Sequence, residues 1–279
     1  MKTIILGQKG FVAKSLINFL KEKNIDHSSI GKNQINFLYS DSINKLKNKI
    51  RKLDNFNLII ISAIAPAKNI YDYEKNITIL SNIIKSINLN KIRKIVYLSS
   101  DAVYSDTKNK ISENSETKPS SIHGIMHLHR ENLLKIFIPN KKLLILRPTL
   151  IYGRNDTHNS YGPNRFMRLA IKNKDIKLFG RGEELRDHIH ISDVVKIIYL
   201  SLKSNKFGIY NVVTGKIISF NKLAEKSIEK SLSKSKIILT KRYGRMPHLG
   251  LRQFNNIRLK KEFKNYKFSN IDQKLKDFL

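Results

Sequence analysis

The sequence predicts an α/β fold, with a doubly wound parallel sheet followed by a smaller C-terminal lobe. Over the first 150 residues, short apolar runs alternate with longer amphipathic ones. Strands separated by helices of about a dozen residues are typical of βαβ units and a parallel sheet. A loop rich in Gly, Asn and Asp at residues 153–163 then predicts a domain boundary. We therefore expect one domain at 1–152, with a returning segment at about 189–213, and a substrate-binding lobe at 153–279.

The elements of the first domain follow from periodicity. Continuous apolar runs of four residues indicate buried strands, and apolar residues at helical spacing indicate helices. The strands predicted in this way are residues 3–6, 58–61, 95–98 and 143–146, and residues 28–31 form a weaker second strand. The predicted helices are residues 11–24 and 77–87.

The second part reads as a smaller lobe. The predicted helices are residues 165–172, 191–202, 220–231 and 271–279. Ser219 is the expected N-cap of the third of these helices. His188 and His190 alternate in a strand-like run, so they share one side, and we expect both to be exposed.

Charge is the most conspicuous feature of the composition. The 279 residues include 53 Lys and Arg against 22 Asp and Glu, a net charge of +31. The densest basic runs, 45–52 and 258–267, carry apolar residues at helical spacing, which favours solvated helix faces over a nucleic-acid interface. We therefore predict no nucleic-acid partner.

Other classes of protein are excluded by composition. With no Cys, the chain has no disulfide, thiolate zinc site or Cys nucleophile. No apolar stretch reaches the roughly 20 residues of a membrane span, and the first residues run from a short strand into a Gly turn, unlike a signal peptide. We expect a cytoplasmic protein without a membrane partner.

A glycine-containing loop joins the first strand to the first helix. Gly7, Gly10, Phe11 and Ala13 belong to a G-x-x-G-x-x-A pattern in a strand–turn–helix context. Glycines permit the tight turn and let backbone N–H groups approach a pyrophosphate at the positive helix end. The loop therefore predicts a dinucleotide site.

The residues after the second strand bear on the choice of dinucleotide. An acid commonly binds the adenosine ribose there, but residues 31–33 read Gly-Lys-Asn. Lys32 suits a 2′-phosphate, which favours NADP over NAD. An incidental surface lysine is the alternative, so both cofactors stay open.

Four segments in order reveal a family resemblance. They read LSSDAVY at 98–104, HGIMH at 123–127, LRPTLIYG at 146–153 and FGRGEELRDHIHISD at 179–193. The set resembles the extended short-chain dehydrogenases/reductases, in the NAD(P)-dependent epimerase/dehydratase branch that acts on nucleotide sugars. The resemblance runs to about residue 213 and more weakly beyond. It implies a Rossmann-type sheet, to which residues 207–213 return as a strand, and a small C-terminal lobe that binds the substrate.

The resemblance implies roles for individual residues. Ser100 matches the catalytic Ser or Thr that contacts the sugar oxygen, and Asp101 matches the acid of the dehydratase members. Ala102 replaces their next Glu, which argues against 4,6-dehydration. The cofactor set that the resemblance and the loop imply is Gly7, Gly10, Phe11, Ala13, Lys32, Ala63, His127 and Pro148.

The resemblance also places basic residues at the substrate. Arg186 matches the Arg that clamps the nucleotide diphosphate, a bidentate task that suits a guanidinium. A local ion pair with Asp187 is the alternative. Arg245 lies in a segment that resembles a loop with a further basic contact, as does Arg242.

One departure from the family concerns its acid/base pair. The family's Tyr-x-x-x-Lys is replaced by His123 and His127. A histidine titrates near neutral pH, so it needs no neighbouring lysine to pass a proton. We hypothesise that His123 is the acid/base and His127 contacts the ribose. Two histidines at this spacing also suit a metal, but no Cys or suitably placed carboxylate completes a set, so we predict no metal.

These inferences define the expected function. The resemblance implies an NAD(P)-dependent epimerase or ketoreductase that acts on a nucleotide-diphosphate sugar, in the synthesis of surface polysaccharide sugars. It also implies a homodimer formed through helices at 77–87 and 123–136. The alternative is a catalytically silent, cofactor-binding relative that acts as a regulator or assembly partner.

Overall fold

The chain divides into two compact units. The computed structural model describes residues 2–264 and 266–279. The first unit comprises the residues up to Ser105, Ser115–Pro148 and Val195–Tyr210, and the second comprises Asp106–Asn114, Thr149–Val194 and Asn211–Leu279. Residues 106–114, although they lie within the first half of the sequence, belong to the second unit. The periodicity of the sequence did not predict this assignment.

A six-stranded sheet organises the first unit. Its strands are β1 (Thr3–Leu6), β2 (His27–Ile30), β3 (Phe56–Ile60), β4 (Ile92–Leu98), β5 (Leu143–Pro148) and β9 (Gly208–Val212). Their order is β2-β1-β3-β4-β5-β9, and β1 to β5 pair in parallel. The direction of winding reverses between β1 and β3, where open α/β sheets bind ligands. The predicted doubly wound α/β fold is confirmed.

Helices flank this sheet. They are α1 (Phe11–Glu22), α2 (Ser42–Ile50), α3 (Ile70–Ser86), α4 (Ile122–Phe137) and α6 (Ile191–Lys203). Helix α3 begins seven residues before the predicted start at 77, because the Asn69 side chain accepts a hydrogen bond from Asp72 N and caps an earlier turn. The basic run at 45–52 lies largely on α2, which buries Leu46 and Ile50 as predicted.

The core of the first unit is built from the apolar strand runs. Leu6, Leu58, Ile60 and Ile95 are fully buried, together with Leu80 of α3. Strands that are covered on both faces need such continuous apolar sequences, which is why these strands could be predicted from the sequence. The core therefore fixes the carboxyl ends of β1, β3, β4 and β5 at one edge of the sheet.

The second unit combines short strands with helices. Its strands are β6 (Leu150–Tyr152), β7 (Ile176–Phe179), β8 (Leu185–His190), β10 (Ile217–Ser219), β11 (Ile237–Thr240) and β12 (Leu251–Arg252). Its helices are α5 (Pro163–Ile171), α7 (Phe220–Lys230), α8 (Ile257–Glu262) and α9 (Ile271–Lys276). Ser219 caps α7 as predicted, whereas α8 covers only part of the basic run at 258–267.

The expectation that His188 and His190 are exposed was wrong. Both lie in β8 and are only 6% exposed. The His188 ring lies against Phe220, with ring centroids 5.8 Å apart. Burial, aided by the charge of Arg186, lowers the pKa of His188 to about 3.

This buried histidine makes the fold sensitive to acid. Below pH 6.5 His188 is protonated in the unfolded chain but stays neutral in the folded chain. The free energy of unfolding therefore falls as the pH falls. We expect His188→Phe to recover roughly 3 kcal/mol of the stability lost between pH 7 and pH 4. Urea denaturation at both pH values measures this, with His158→Phe in an exposed loop as control. An equal acid loss in His188→Phe and the wild type would contradict it.

Candidate active site

The glycine loop leaves the start of α1 open to an anion. Gly7 has φ +118°, and a Cβ there would lie 3.2 Å from Ser62 N, so a side chain would be strained. Gly10 is the N-cap of α1, and a Cβ there would meet no described atom within 4 Å. Ala13 is fully buried. The first-turn amides of α1 thus face space that suits a pyrophosphate.

The turn after β2 lies beside this loop. The Gln8 side chain reaches Ser29 Oγ at 3.3 Å and covers Gly31. Lys9 Nζ donates to Asn33 Oδ1 at 3.4 Å, and Lys32 is exposed. Lys9 and Lys32 therefore place two ammonium groups near the end of β2.

The loop after β3 is held by a side chain of α3. Asn76 is buried, and its carboxamide bonds both the N–H and the C=O of Ile64, at 2.9 and 3.0 Å. Arg130 of α4 donates to Ser62 O at 2.8 Å. Ala63 therefore lies in a fixed loop at the carboxyl edge of the sheet.

Ser100 and Asp101 follow β4. The Ser100 hydroxyl accepts a hydrogen bond from Ala102 N at 3.1 Å and caps the short 3₁₀ helix Asp101–Val103. Helix α4 packs closely on this segment, because a Cβ at Gly124 would overlap Ala102 O and lie 2.6 Å from Pro119 Cβ. The smallest residue of α4 therefore lets its first turn approach Asp101.

The two histidines occupy the first turns of α4. Ser121 caps the helix by accepting from Gly124 N at 3.1 Å. The rings of His123 and His127 are perpendicular, with centroids 4.7 Å apart. Ala67 N donates to His123 Nδ1 at 3.4 Å, a longer distance than usual for a hydrogen bond. The predicted pair thus forms one cluster at the sheet edge.

Burial keeps both imidazoles neutral at neutral pH. It lowers the pKa of His123, against the opposing charge of Asp101. The pKa of His127, only 5% exposed, is lowered further by burial and by the neighbouring His123 and Arg130. A neutral imidazole beside a carboxylate can take up a proton and be stabilised as the cation.

Charged residues that sequence reasoning did not assign lie beneath the cluster. Glu131 is fully buried and accepts from Ser99 Oγ at 2.6 Å and from Arg147 Nε and Nη2 at 2.9 and 2.6 Å. These contacts join α4 to the ends of β4 and β5, next to Pro148, which is also buried. The available sequence signal was that Arg130 and Glu131 follow the buried Met126 and His127 by four residues, so that both charged side chains lie on the buried side of the helix.

The predicted substrate residues lie in the second unit. Arg186 of β8 is 8% exposed and donates from Nε to Glu184 Oε1 at 2.7 Å. Its predicted alternative partner, Asp187, instead accepts from Thr214 Oγ1 at 2.6 Å and Gly215 N at 2.7 Å. Arg242 lies 3.7 Å from Glu184, whereas Arg245 is exposed in a loop. Arg242 therefore shares a carboxylate with Arg186.

Two searches of the described residues complete the description. No helix in 2–264 or 266–279 is long and apolar enough to cross a membrane. Within the same residues, no group of three or more His, Asp or Glu side chains is placed to hold a metal ion.

Comparison with known proteins identifies the class. The sequence model of the NAD dependent epimerase/dehydratase family matches residues 3–213. The chain belongs to this family, as its motifs indicated.

Individual relatives agree with this assignment. The ADP-L-glycero-D-manno-heptose-6-epimerase of Brachyspira hyodysenteriae is 28% identical over 269 residues, which covers 82% of each chain. UDP-glucose 4-epimerase of Thermus thermophilus, in complex with NAD, superposes with a TM-score of 0.83 at 17% identity and covers 99% of this chain and 97% of its own. A GDP-L-fucose synthetase of Naegleria fowleri bound to NADP gives 0.84 at 13% identity, with 99% and 92% covered. The shared fold spans essentially the whole chain.

Proposed function

We propose that the protein is an NAD(P)-dependent enzyme that epimerises or reduces the sugar of a nucleotide-diphosphate sugar. The observation that carries the proposal is the grouping of Ser100, Asp101, His123 and His127 at the edge that also holds the glycine loop. The family membership and the named activities of its relatives support it. The direct test is incubation of the purified protein with a panel of nucleotide-diphosphate sugars and NAD(P)(H), with products identified by NMR.

The cofactor fits the loop, and the chain's own residues supply the remaining chemistry. A bound nicotinamide would supply the hydride exchange with a sugar carbon. Gly7, Gly10, Phe11 and Ala13 would hold the pyrophosphate at the start of α1. Ala63 would lie near the cofactor, and Pro148 would border the nicotinamide. His127 binds the ribose. These assignments are the ones that the family resemblance and the glycine loop imply.

Proton transfer falls to the segment after β4 and the first turn of α4. The Ser100 hydroxyl orients the reacting sugar oxygen, and His123 takes its proton when the sugar is oxidised and returns it on reduction. Asp101 stabilises the imidazolium, since its charge raises the pKa of His123. The long Ala67–His123 bond does not lock the ring, so its nitrogens can exchange the proton.

The second unit completes the proposal. We assign residues 153–279 as the substrate lobe, with Arg186 and Arg245 as contacts to the nucleotide diphosphate, and Arg242 as a further candidate because of its contact with Glu184. The proposed setting is the cytoplasmic synthesis of surface polysaccharide sugars, which cell fractionation and analysis of the polysaccharide in a deletion strain would test.

We also propose a homodimer. Helices α3 and α4 pack together and leave large apolar side chains exposed, among them Tyr71 at 67%, Ile136 at 74% and Phe137 at 55%. Sedimentation velocity of the whole protein tests this, and a monomer at micromolar concentration would contradict it.

NADP is the proposed cofactor. The proposal is supported by Lys9 and Lys32, which lie near the end of β2, and by the turn 31–33, which carries no carboxylate. We expect Lys32→Ala to weaken NADPH binding about fivefold, as the loss of one charge-assisted contact does, and to leave NADH binding unchanged. Fluorescence titration measures both, with Lys49→Ala on α2 as a control. Equal weakening for both cofactors would contradict the assignment.

A catalytically silent binder is the second candidate. The replacement of both residues of the family's Tyr-x-x-x-Lys favours it, as does Leu150, which is 40% exposed where the family has a polar Asn. Cofactor binding without turnover of any sugar in the panel would support this alternative.

A further inference from the structure

A buried tyrosine contacts the second histidine of the cluster from below. Tyr97 lies in β4 and is 1% exposed, and its hydroxyl is 2.8 Å from His127 Nδ1. The two rings are tilted by 40°, with centroids 6.1 Å apart. Neither the family motif nor the sequence pattern assigns Tyr97, which reads as an ordinary core residue of an apolar strand.

Pairing of the buried groups decides which atom donates. Within the residues that the structure describes, the Tyr97 hydroxyl makes no other hydrogen bond. If His127 Nδ1 carried the hydrogen and donated it, the phenolic hydrogen would be left unpaired in a buried site, which is unfavourable. The hydroxyl therefore donates and Nδ1 accepts. In a neutral imidazole the hydrogen then resides on Nε2.

Burial keeps both partners neutral. The groups that face this pair are His123 and Arg130 on α4 and Glu131 on the same helix. Burial lowers the pKa of His127 and raises that of Tyr97, so that neither group ionises near neutral pH. The Arg130 guanidinium lies 5.2 Å over the Tyr97 ring and opposes any positive charge on His127.

We propose that Tyr97 is a positioning residue that fixes His127 as the neutral Nε2–H tautomer, so that His127 offers an uncharged hydrogen-bond donor to the cofactor ribose. This inference rests on the proposed function, in which His127 contacts the ribose. The two histidines then differ in kind: a 2.8 Å bond locks His127, while the 3.4 Å contact leaves His123 free to change protonation. A lysine at position 127 would place a positive charge at the ribose, whereas the neutral imidazole of His127 places none there.

The test combines a spectroscopic and a binding measurement on the whole protein. Long-range ¹H–¹⁵N spectra of histidine-labelled protein report the tautomer of His127, with its signals assigned by their loss in His127→Gln. We expect Nε2 protonated in the wild type. In Tyr97→Phe we expect a mixture of tautomers and an NADPH Kd raised about fivefold, through loss of one buried hydrogen bond.

A second tyrosine–histidine pair, formed by Tyr73 of α3 and His129 of α4, provides the control. Tyr73 OH lies 2.5 Å from His129 Nδ1, so Tyr73→Phe removes the same kind of bond away from the cluster and should leave the His127 tautomer and the Kd unchanged. An Nδ1–H tautomer in the wild type, or an unchanged tautomer and Kd in Tyr97→Phe, would overturn the proposal. If the wild type binds no NAD(P)H, the proposed function fails, whereas the wild-type tautomer still decides the role of Tyr97.

Discussion

His123→Ala is expected to lower kcat by about 10²- to 10⁴-fold, the usual contribution of a positioned acid/base group. His123 is the half-buried imidazole next to Asp101, and its loss leaves the sugar hydroxyl without a proton acceptor. Cofactor affinity should stay within about twofold, because the glycine loop and His127 are untouched. Turnover and fluorescence titration measure the two effects separately.

His129→Ala is the matched control for this experiment. His129 lies on the same helix, bonded to Tyr73 rather than to the cluster, so its removal should leave kcat unchanged. Full activity in His123→Ala would show that another group handles the proton. If a His123→Tyr, His127→Lys double variant keeps the activity that His123→Ala loses, the site accepts the family's usual pair.

Glu131→Gln is expected to cost about 3–5 kcal/mol of unfolding free energy, since it leaves a buried guanidinium without its counter-charge. Glu131 is fully buried and holds Arg147 through two hydrogen bonds, and Ser99 donates to it as well. Urea denaturation measures the loss. Because this pair ties α4 to the ends of β4 and β5, His123 should shift too, and activity should fall in the folded fraction.

Glu116→Gln is the appropriate control. Glu116 also accepts from a serine, Ser105, at 2.7 Å, but at the exposed surface, so the change should cost well under 1 kcal/mol. A loss below about 1 kcal/mol in Glu131→Gln would mean that the buried guanidinium of Arg147 does not depend on this carboxylate.

The first unit was predictable because its strands are covered on both faces. Continuous apolar runs such as 58–61 can be read without knowledge of neighbours, and the glycine loop has a fixed place after β1. The second unit has strands of two to six residues whose partners are distant in sequence, such as β6 with β8. Little in so short a segment distinguishes a strand from a loop, so β6, β7 and β10 to β12 were not predicted.

The site was predictable at the level of motifs but not of partners. The spacing of His123 and His127 on one helix face predicted that they lie together, and they do. The alternation of His188 and His190 predicted that they share a side of the strand but not whether that side faces the core. The expectation that they are exposed was therefore wrong. The alternative to a substrate contact at Arg186 was a local ion pair with the adjacent Asp187. The structure shows a local ion pair with Glu184, which lies two residues away and therefore on the same face.

The bonds of Asn76 have a consequence for how the site meets its ligands. One carboxamide bonds both the N–H and the C=O of Ile64, as a neighbouring strand would in a sheet. The loop beyond β3 is therefore ordered before any ligand arrives, and little of the binding energy is spent on freezing it. The site is therefore preorganised next to β3. Heating should weaken ligand binding only slightly through disorder of this loop.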